Sequence, residues 1–150
     1  MADPYFGEAW GFTGITIGST NVTAGDALYF DGTDWELADA DDNTKFTELF
    51  AAETYDSGAR GIGVVGGILV DTDAPYTQGQ SMYLDTTAGA ITATRPTGAE
   101  NLMQVLGFCV STSEVKMSCP PLHEETISLS PINDGTAANS QRNDFTGVLL

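Results

Sequence analysis

Thr23–Asp31 reads TAGDALYFD, and Thr77–Asp85, 54 positions later, reads TQGQSMYLD. Both run Thr, any residue, Gly, two small or polar residues, an apolar residue, Tyr, an apolar residue, Asp. Each copy is followed by a turn and a second strand-like run, WELADA from Trp35 and GAITAT from Gly89. Asp31-Gly32 and Asp34 supply a tight hairpin turn in the first copy, and Thr87-Ala88-Gly89 stands in its place in the second. Taken further, the copies close on GGILV at 66–70 and LGFCV at 106–110. The offset falls to 40 there, so the first copy holds 14 extra residues, within DDNTKFTELFAAETYDSGARG. Two copies are too few for a solenoid. A hairpin with one apolar face cannot bury that face alone, so two related hairpins are expected to pair face to face.

Around this repeat the chain is β throughout. GITIG, DALYFD, DWELAD, RGIGVVGGILVD, LMQVLGFCVS and EVKMS are short, rich in β-branched and aromatic residues, and separated by Gly, Asp, Thr and Pro. Leu28 and Phe30 share one face with Tyr29 between them on the other, and Val115 and Met117 share a face. The expected fold is all-β, a small sandwich or barrel built from two related hairpin units, with extended arms at both ends. The expected division is an N-terminal arm at 1–14, a β domain at 15–119 carrying the repeat at about 23–70 and 77–110, and a C-terminal arm at 120–150. The run NTKFTELFAAET is ambiguous: Phe46, Leu49 and Phe50 follow helical spacing and Asn43 suits a cap, yet Thr47 to Glu53 also suits a strand. A strand preceded by a short helical turn is the expectation.

Length and charge narrow the function. The 150 residues make one ordinary domain, 41% of them apolar, a composition that folds. Asp and Glu number 21 against 5 Lys and Arg, a formal charge of −16. The five basic residues, Lys45, Arg60, Arg95, Lys116 and Arg142, are scattered, so neither nucleic acid nor an anionic membrane is an expected partner. The opening MADPYFGEAWGF has neither the basic segment nor the apolar run of a signal peptide, and cytoplasmic synthesis is expected. Cys109 and Cys119 match no metal spacing and are expected to pack as thiols.

Motifs that carry chemistry fail on their own terms. Asp39, Asp41 and Asn43 stand at positions 1, 3 and 5 of a calcium loop, but Thr44 replaces the required Gly and Phe50 the bidentate Glu. Gly61, Gly63 and Gly66 match a dinucleotide fingerprint as a string, but strand and turn follow where a helix is needed. The sole histidine, His123, follows Pro120-Pro121 in a linker-like stretch, with no nucleophile elbow elsewhere. No catalytic, cofactor or metal residue is assigned, and no enzymatic activity is expected. Trp35 with Tyr29, Tyr55, Tyr76 and Tyr83 is a conceivable sugar-stacking platform, although repeat-related tyrosines such as Tyr29 and Tyr83 more often pack.

The ends of the chain are the anomaly. Tyr5, Phe6, Trp10, Phe12, Phe145, Val148, Leu149 and Leu150 lie in segments with weak folding signals. They are the candidate assembly-interface residues, because arms of this kind gain order by wrapping a neighbour.

The combination AGDALYFDG, TDWELADADD and ETYDSGARGIGVVGGILV, followed by TQGQSMYLDTTAGAITATRP and VLGFCVS, resembles the small decoration, or cement, proteins of tailed-bacteriophage heads. The resemblance covers residues 15–118. It implies a β-sandwich or barrel without enzymatic activity, a homotrimer seated on the outer capsid surface of the virion, and the major capsid protein as partner. The charge agrees with an outer position, since three copies carry three times −16, or −48, and would be repelled by packaged DNA. The alternative is a phage head-fibre or tail module that binds a receptor or a glycan.

Overall fold

Residues 3–74 and 76–119 are described by a computed structural model of the chain. The strands are β1 Tyr5–Trp10, β2 Thr13–Thr16, β3 Ala27–Phe30, β4 Trp35–Leu37, β5 Leu49–Ala51 and β6 Arg60–Val64, then β7 Gly66–Val70, β8 Ser81–Leu84, β9 Ile91–Thr92, β10 Val105–Cys109 and β11 Glu114–Ser118. They form a six-stranded sheet, β1-β7-β11-β10-β8-β9, and a five-stranded sheet, β2-β6-β5-β3-β4. All pairs between strands are antiparallel and no helix occurs among the described residues. The chain is an all-β sandwich, as its sequence implies.

The repeat is a turn and a strand, one copy in each sheet. Asp26 N–H donates to Thr23 C=O at 2.9 Å, and Gln80 N–H donates to Thr77 C=O at 3.1 Å. The third residue of each turn, Gly25 or Gly79, has φ of +91° or +88°, a left-handed conformation that a residue with a Cβ adopts only at a cost. The Gly N–H then donates across to Ala51 C=O in the first copy and to Cys109 C=O in the second. Ala51 and Cys109 return the bond to Asp26 and Gln80.

These bonds correct the outer limit of the repeat. The counterpart of β10 is β5, not β7, because β5 and β10 are the strands that pair with the repeated strands β3 and β8. GGILV instead lies between β1 and β11. The second copy is the longer one: Gly79 to Cys109 spans 30 positions against 26 from Gly25 to Ala51. Nor do the two hairpins simply face each other. Each has its own sheet, and they are stitched edgewise, Ala27 N–H donating to Gly89 C=O at 2.9 Å and Gly89 N–H to Ala38 C=O at 2.7 Å.

Two further features tie the sheets together. β1 and β2 run as one bent ribbon against β7 and β6, with Trp10 opposite Gly66 and Thr13 opposite Gly63, so the register is kept through the bend. Residues 5–10 therefore form an edge strand, not the arm expected over 1–14. The five-stranded sheet also curls. Ile17, just past β2, bridges Trp35 in β4, and Gly18 N–H donates to Trp35 C=O at 2.8 Å, which brings the two edges of the sheet together.

The curl gives the five-stranded sheet two apolar faces. Its inner face holds Ile15, Ile17, Val22, Leu28, Leu49 and Ala51, with Trp35, Leu37 and Tyr55 packed against them. Its other face contributes Ala27, Phe50 and Val64 to the main core, which it shares with Leu69, Met82, Leu84, Leu106, Cys109, Val115 and Met117 of the six-stranded sheet. Burying a side chain the size of Phe50 stabilises the fold by about 2–3 kcal/mol. The NTKFTELFAAET segment resolves as β5 preceded by turns and extended chain, with no helix. Phe50 and Leu49 satisfy opposite faces of a strand buried on both sides, which is why their spacing also fits a helix.

Candidate assembly surface

β1 presents its residues alternately. Phe6 and Ala9 turn inward and pack against the main core. Tyr5 and Trp10 stay exposed, and Phe12, at the bend between the sheets, is 65% exposed. The Trp10 indole lies beside Gly66; a Cβ added there would sit 2.5 Å from the Met117 carbonyl oxygen and 2.8 Å from Trp10 Nε1, so glycine leaves room for both the neighbouring strand and the ring. The alternation slips once, between Phe6 and Glu8, where Gly7 is an extra residue. Bulges of this kind are common at sheet edges and twist the strand. Of the four N-terminal candidates, three are thus exposed at one edge and corner, while Phe6 is half-buried against the main core. The C-terminal candidates Phe145, Val148, Leu149 and Leu150, and the arm at 120–150 that holds them, lie outside the described residues, as does His123.

The exposed apolar surface continues from this edge over the outward face of the six-stranded sheet. Phe108, 47% exposed, stands opposite Lys116 in β11, and Lys116 stands opposite Ile68 in β7. Val105 is exposed beside Tyr83. Charged side chains on this face are few: Glu8, Glu114 and Lys116. For a chain with 21 acidic residues that is a marked thinning of charge.

The repeat gives Phe108 a counterpart. Ala27 pairs with Phe50, and Ser81, at the same place in the second copy, pairs with Phe108. Phe50 is completely buried between the sheets, whereas Phe108 is open. The face of the five-stranded sheet that packs against its neighbour therefore corresponds to the outward face of the six-stranded sheet. Sequence inspection missed Phe108 because β10 was matched to the wrong strand and because the register shift between Val105 and Gly107 breaks the alternation.

The remaining candidates have structural placements. Tyr29 and Tyr76 pack against the main core. The Tyr55 ring lies on Gly61, and Ile62 N–H donates to its hydroxyl at 3.0 Å. A platform of the named tyrosines is not assembled. Trp35 instead pairs with Phe30, ring centroids 5.5 Å apart and tilted by 47°. The acidic run 39–42 is a chain of turns. Asp41 N–H donates to Asp39 Oδ1 at 2.9 Å, Thr44 N–H and hydroxyl both donate to Asp42 Oδ1, and Lys45 Nζ lies 3.6 Å from Asp42 Oδ2. These hydrogen bonds hold the Asp42 carboxyl below its ordinary pKa. Among the described residues no group of three or more His, Cys, Asp or Glu is placed to hold a metal ion.

Both cysteines are free. Cys109 belongs to the main core, and burial raises its thiol pKa. Burial pushes the Cys119 thiol up to about 12, with the Glu48 carboxylate adding to the effect. Among the described residues Asp26 is the one carboxyl raised this way, to about 6: burial dominates, and the hydrogen bond it accepts from Thr23 N–H opposes. Comparison with family models, with curated proteins and with solved structures gives no match.

Proposed function

We propose that the chain is a non-enzymatic structural protein of a phage virion, bound to the outside of the capsid, which stabilises the shell by bridging major capsid protein subunits. The observation that carries this is the collection of Tyr5, Trp10 and Phe12 at one exposed edge and corner of an otherwise strongly acidic β body. Exposed aromatic groups rimmed by polar surface mark protein contacts more often than solvated loops. A sheet edge beside them adds backbone donors and acceptors that an extended capsid segment can pair with. The motif resemblance to head decoration proteins points the same way, and the charge favours the outer surface over the DNA-filled interior. In this role the work is mechanical: each bound copy adds buried area across a junction, and occupancy stabilises the shell by mass action.

The test uses heads assembled from the major capsid protein of the same genome, without this chain. Adding the full chain is expected to raise the temperature at which the heads rupture, saturating at a fixed ratio of copies to capsid subunits. Heads that bind no chain, or bind it without gaining stability, contradict the proposal.

A further inference from the structure

We propose that the outward face of the six-stranded sheet is a self-association surface, occupied by the same face of a second copy about a two-fold axis. The contact centres on β11, whereas the capsid contact proposed above uses the β1 edge and the Phe12 corner. Three observations lead to it.

The first is the internal precedent. The equivalent face of the five-stranded sheet is covered by another sheet, and Phe50 is buried there, whereas its counterpart Phe108 has nothing over it among the described residues. Stacking one sheet upon another is therefore the mode this unit already uses inside the molecule.

The second is complementarity of rows. On β11, Glu114 and Lys116 point outward on either side of the inward-facing Val115. The Lys116 row contains Phe108 and Ile68. The Glu114 row contains Val70, and Val110, whose N–H donates to Glu114 C=O at 2.9 Å. An axis lying in the interface, perpendicular to β11 at Val115, exchanges the two rows. It sets Phe108 over the second copy's Val110, Ile68 over its Val70, and Lys116 over its Glu114. Apolar residues meet apolar residues, and the charge pair forms twice because the contact is isologous. Within one chain Lys116 has no ion pair among the described residues. Few other charges oppose the approach, although each chain carries −16.

The third is area. The five strands from β7 to β9, of two to five residues each, at about 4.8 Å spacing and about 3.4 Å per residue present roughly 350 Å² in projection, or roughly 700 Å² over two copies before side-chain relief is added. Stable pairs bury about 1,200–2,000 Å² and weak ones less, so the face supports a weak, concentration-dependent dimer. An isologous face is filled by a single neighbour, so it closes at two copies, in contrast with the three that the motif resemblance implies.

The experiment is sedimentation equilibrium of the full chain over a range of concentrations, with thermal melting as a check that each variant is folded. The apparent mass of the wild-type chain is expected to rise with concentration from one chain mass towards two. Phe108→Asp places a carboxylate in the contact and is expected to weaken association by roughly tenfold or more. Lys116→Glu and Glu114→Lys are each expected to do the same, and the double swap Lys116→Glu/Glu114→Lys is expected to restore the dimer, because it rebuilds both pairs with reversed sign. A chain that stays monomeric at every concentration overturns the proposal. So does an assembly, trimeric or otherwise, that persists unchanged in folded Phe108→Asp. A double swap that leaves the chain monomeric overturns the two-fold axis at Val115.

Discussion

The side-chain amide of Gln104 is clamped to the backbone of Thr47: Thr47 N–H donates to Gln104 Oε1 at 2.8 Å, and Gln104 Nε2 donates to Thr47 C=O at 3.1 Å. Gln104 thus does with its side chain what a neighbouring strand does with its main chain. Its own C=O accepts from Leu84 N–H at 3.0 Å, in the six-stranded sheet. One residue therefore joins the second copy of the repeat to the segment entering β5. Gln104→Ala leaves both backbone polar groups of Thr47 unpaired, and a loss of about 2–3 kcal/mol is expected in urea unfolding. Gln104→Glu keeps the acceptor for Thr47 N–H but turns a carboxylate oxygen toward Thr47 C=O. It is expected to destabilise as well, and less so at acidic pH, where the protonated acid can donate.

The repeated turns give a matched pair of substitutions. Gly79→Ala introduces a Cβ into open space, so only the left-handed backbone is penalised, by about 1–2 kcal/mol. Gly25→Ala carries the same penalty and also brings the Cβ to 2.8 Å from the Leu69 side chain. It is expected to be worse by about 1 kcal/mol or more, read as the difference between the two unfolding midpoints.

Asp26 sets a pH dependence. Its folded pKa is raised from 3.8 to about 6, so the folded state holds the proton more tightly than the unfolded chain does. The stabilisation is fully present below about pH 4 and is lost as pH rises through 6. After a discount for its partial exposure the change is on the order of 2 kcal/mol. Asp26→Asn is expected to raise the melting temperature at pH 7 to 8 and to flatten the loss of stability between pH 4 and 7. An unchanged pH profile in the variant would show that the charge of Asp26 is not what the fold works against.

The thiols give a kinetic prediction. Cys109 and Cys119 have pKa values raised by burial, so little thiolate forms at neutral pH and access is poor. A disulfide reagent at pH 8 is expected to modify neither while the chain is folded, and both once it is unfolded in denaturant. Rapid modification of either thiol in the native chain would contradict the packing described for that residue.

The layers of the sandwich were legible in the sequence because turn chemistry and β-branched runs are local signals. Thr23–Asp31 and Thr77–Asp85 announced the same turn and strand, and the hydrogen bonds of Gly25 and Gly79 repeat almost atom for atom. What followed the repeat was not legible. β5 contributes only Leu49–Ala51, all three buried, and a run so short has no period to distinguish strand from helix. GGILV, longer and richer in branched residues, drew the match that belonged to β5. The aromatic N-terminus read as an arm because β1 is a bulged edge strand whose partner, β7, lies some sixty residues away in sequence. Of the surface, Tyr5, Trp10 and Phe12 could be named from composition alone. Phe108 could be named only once its partner strand was known, since its exposure follows from which sheet it stands in.

The most direct measurement is electron cryomicroscopy of heads built from the cognate major capsid protein, imaged with and without the full chain. Added density is expected on the outer surface, at repeated junctions between capsid subunits, with the Tyr5–Phe12 edge turned toward the shell. Density that is absent, or that lies inside the shell, would contradict the account.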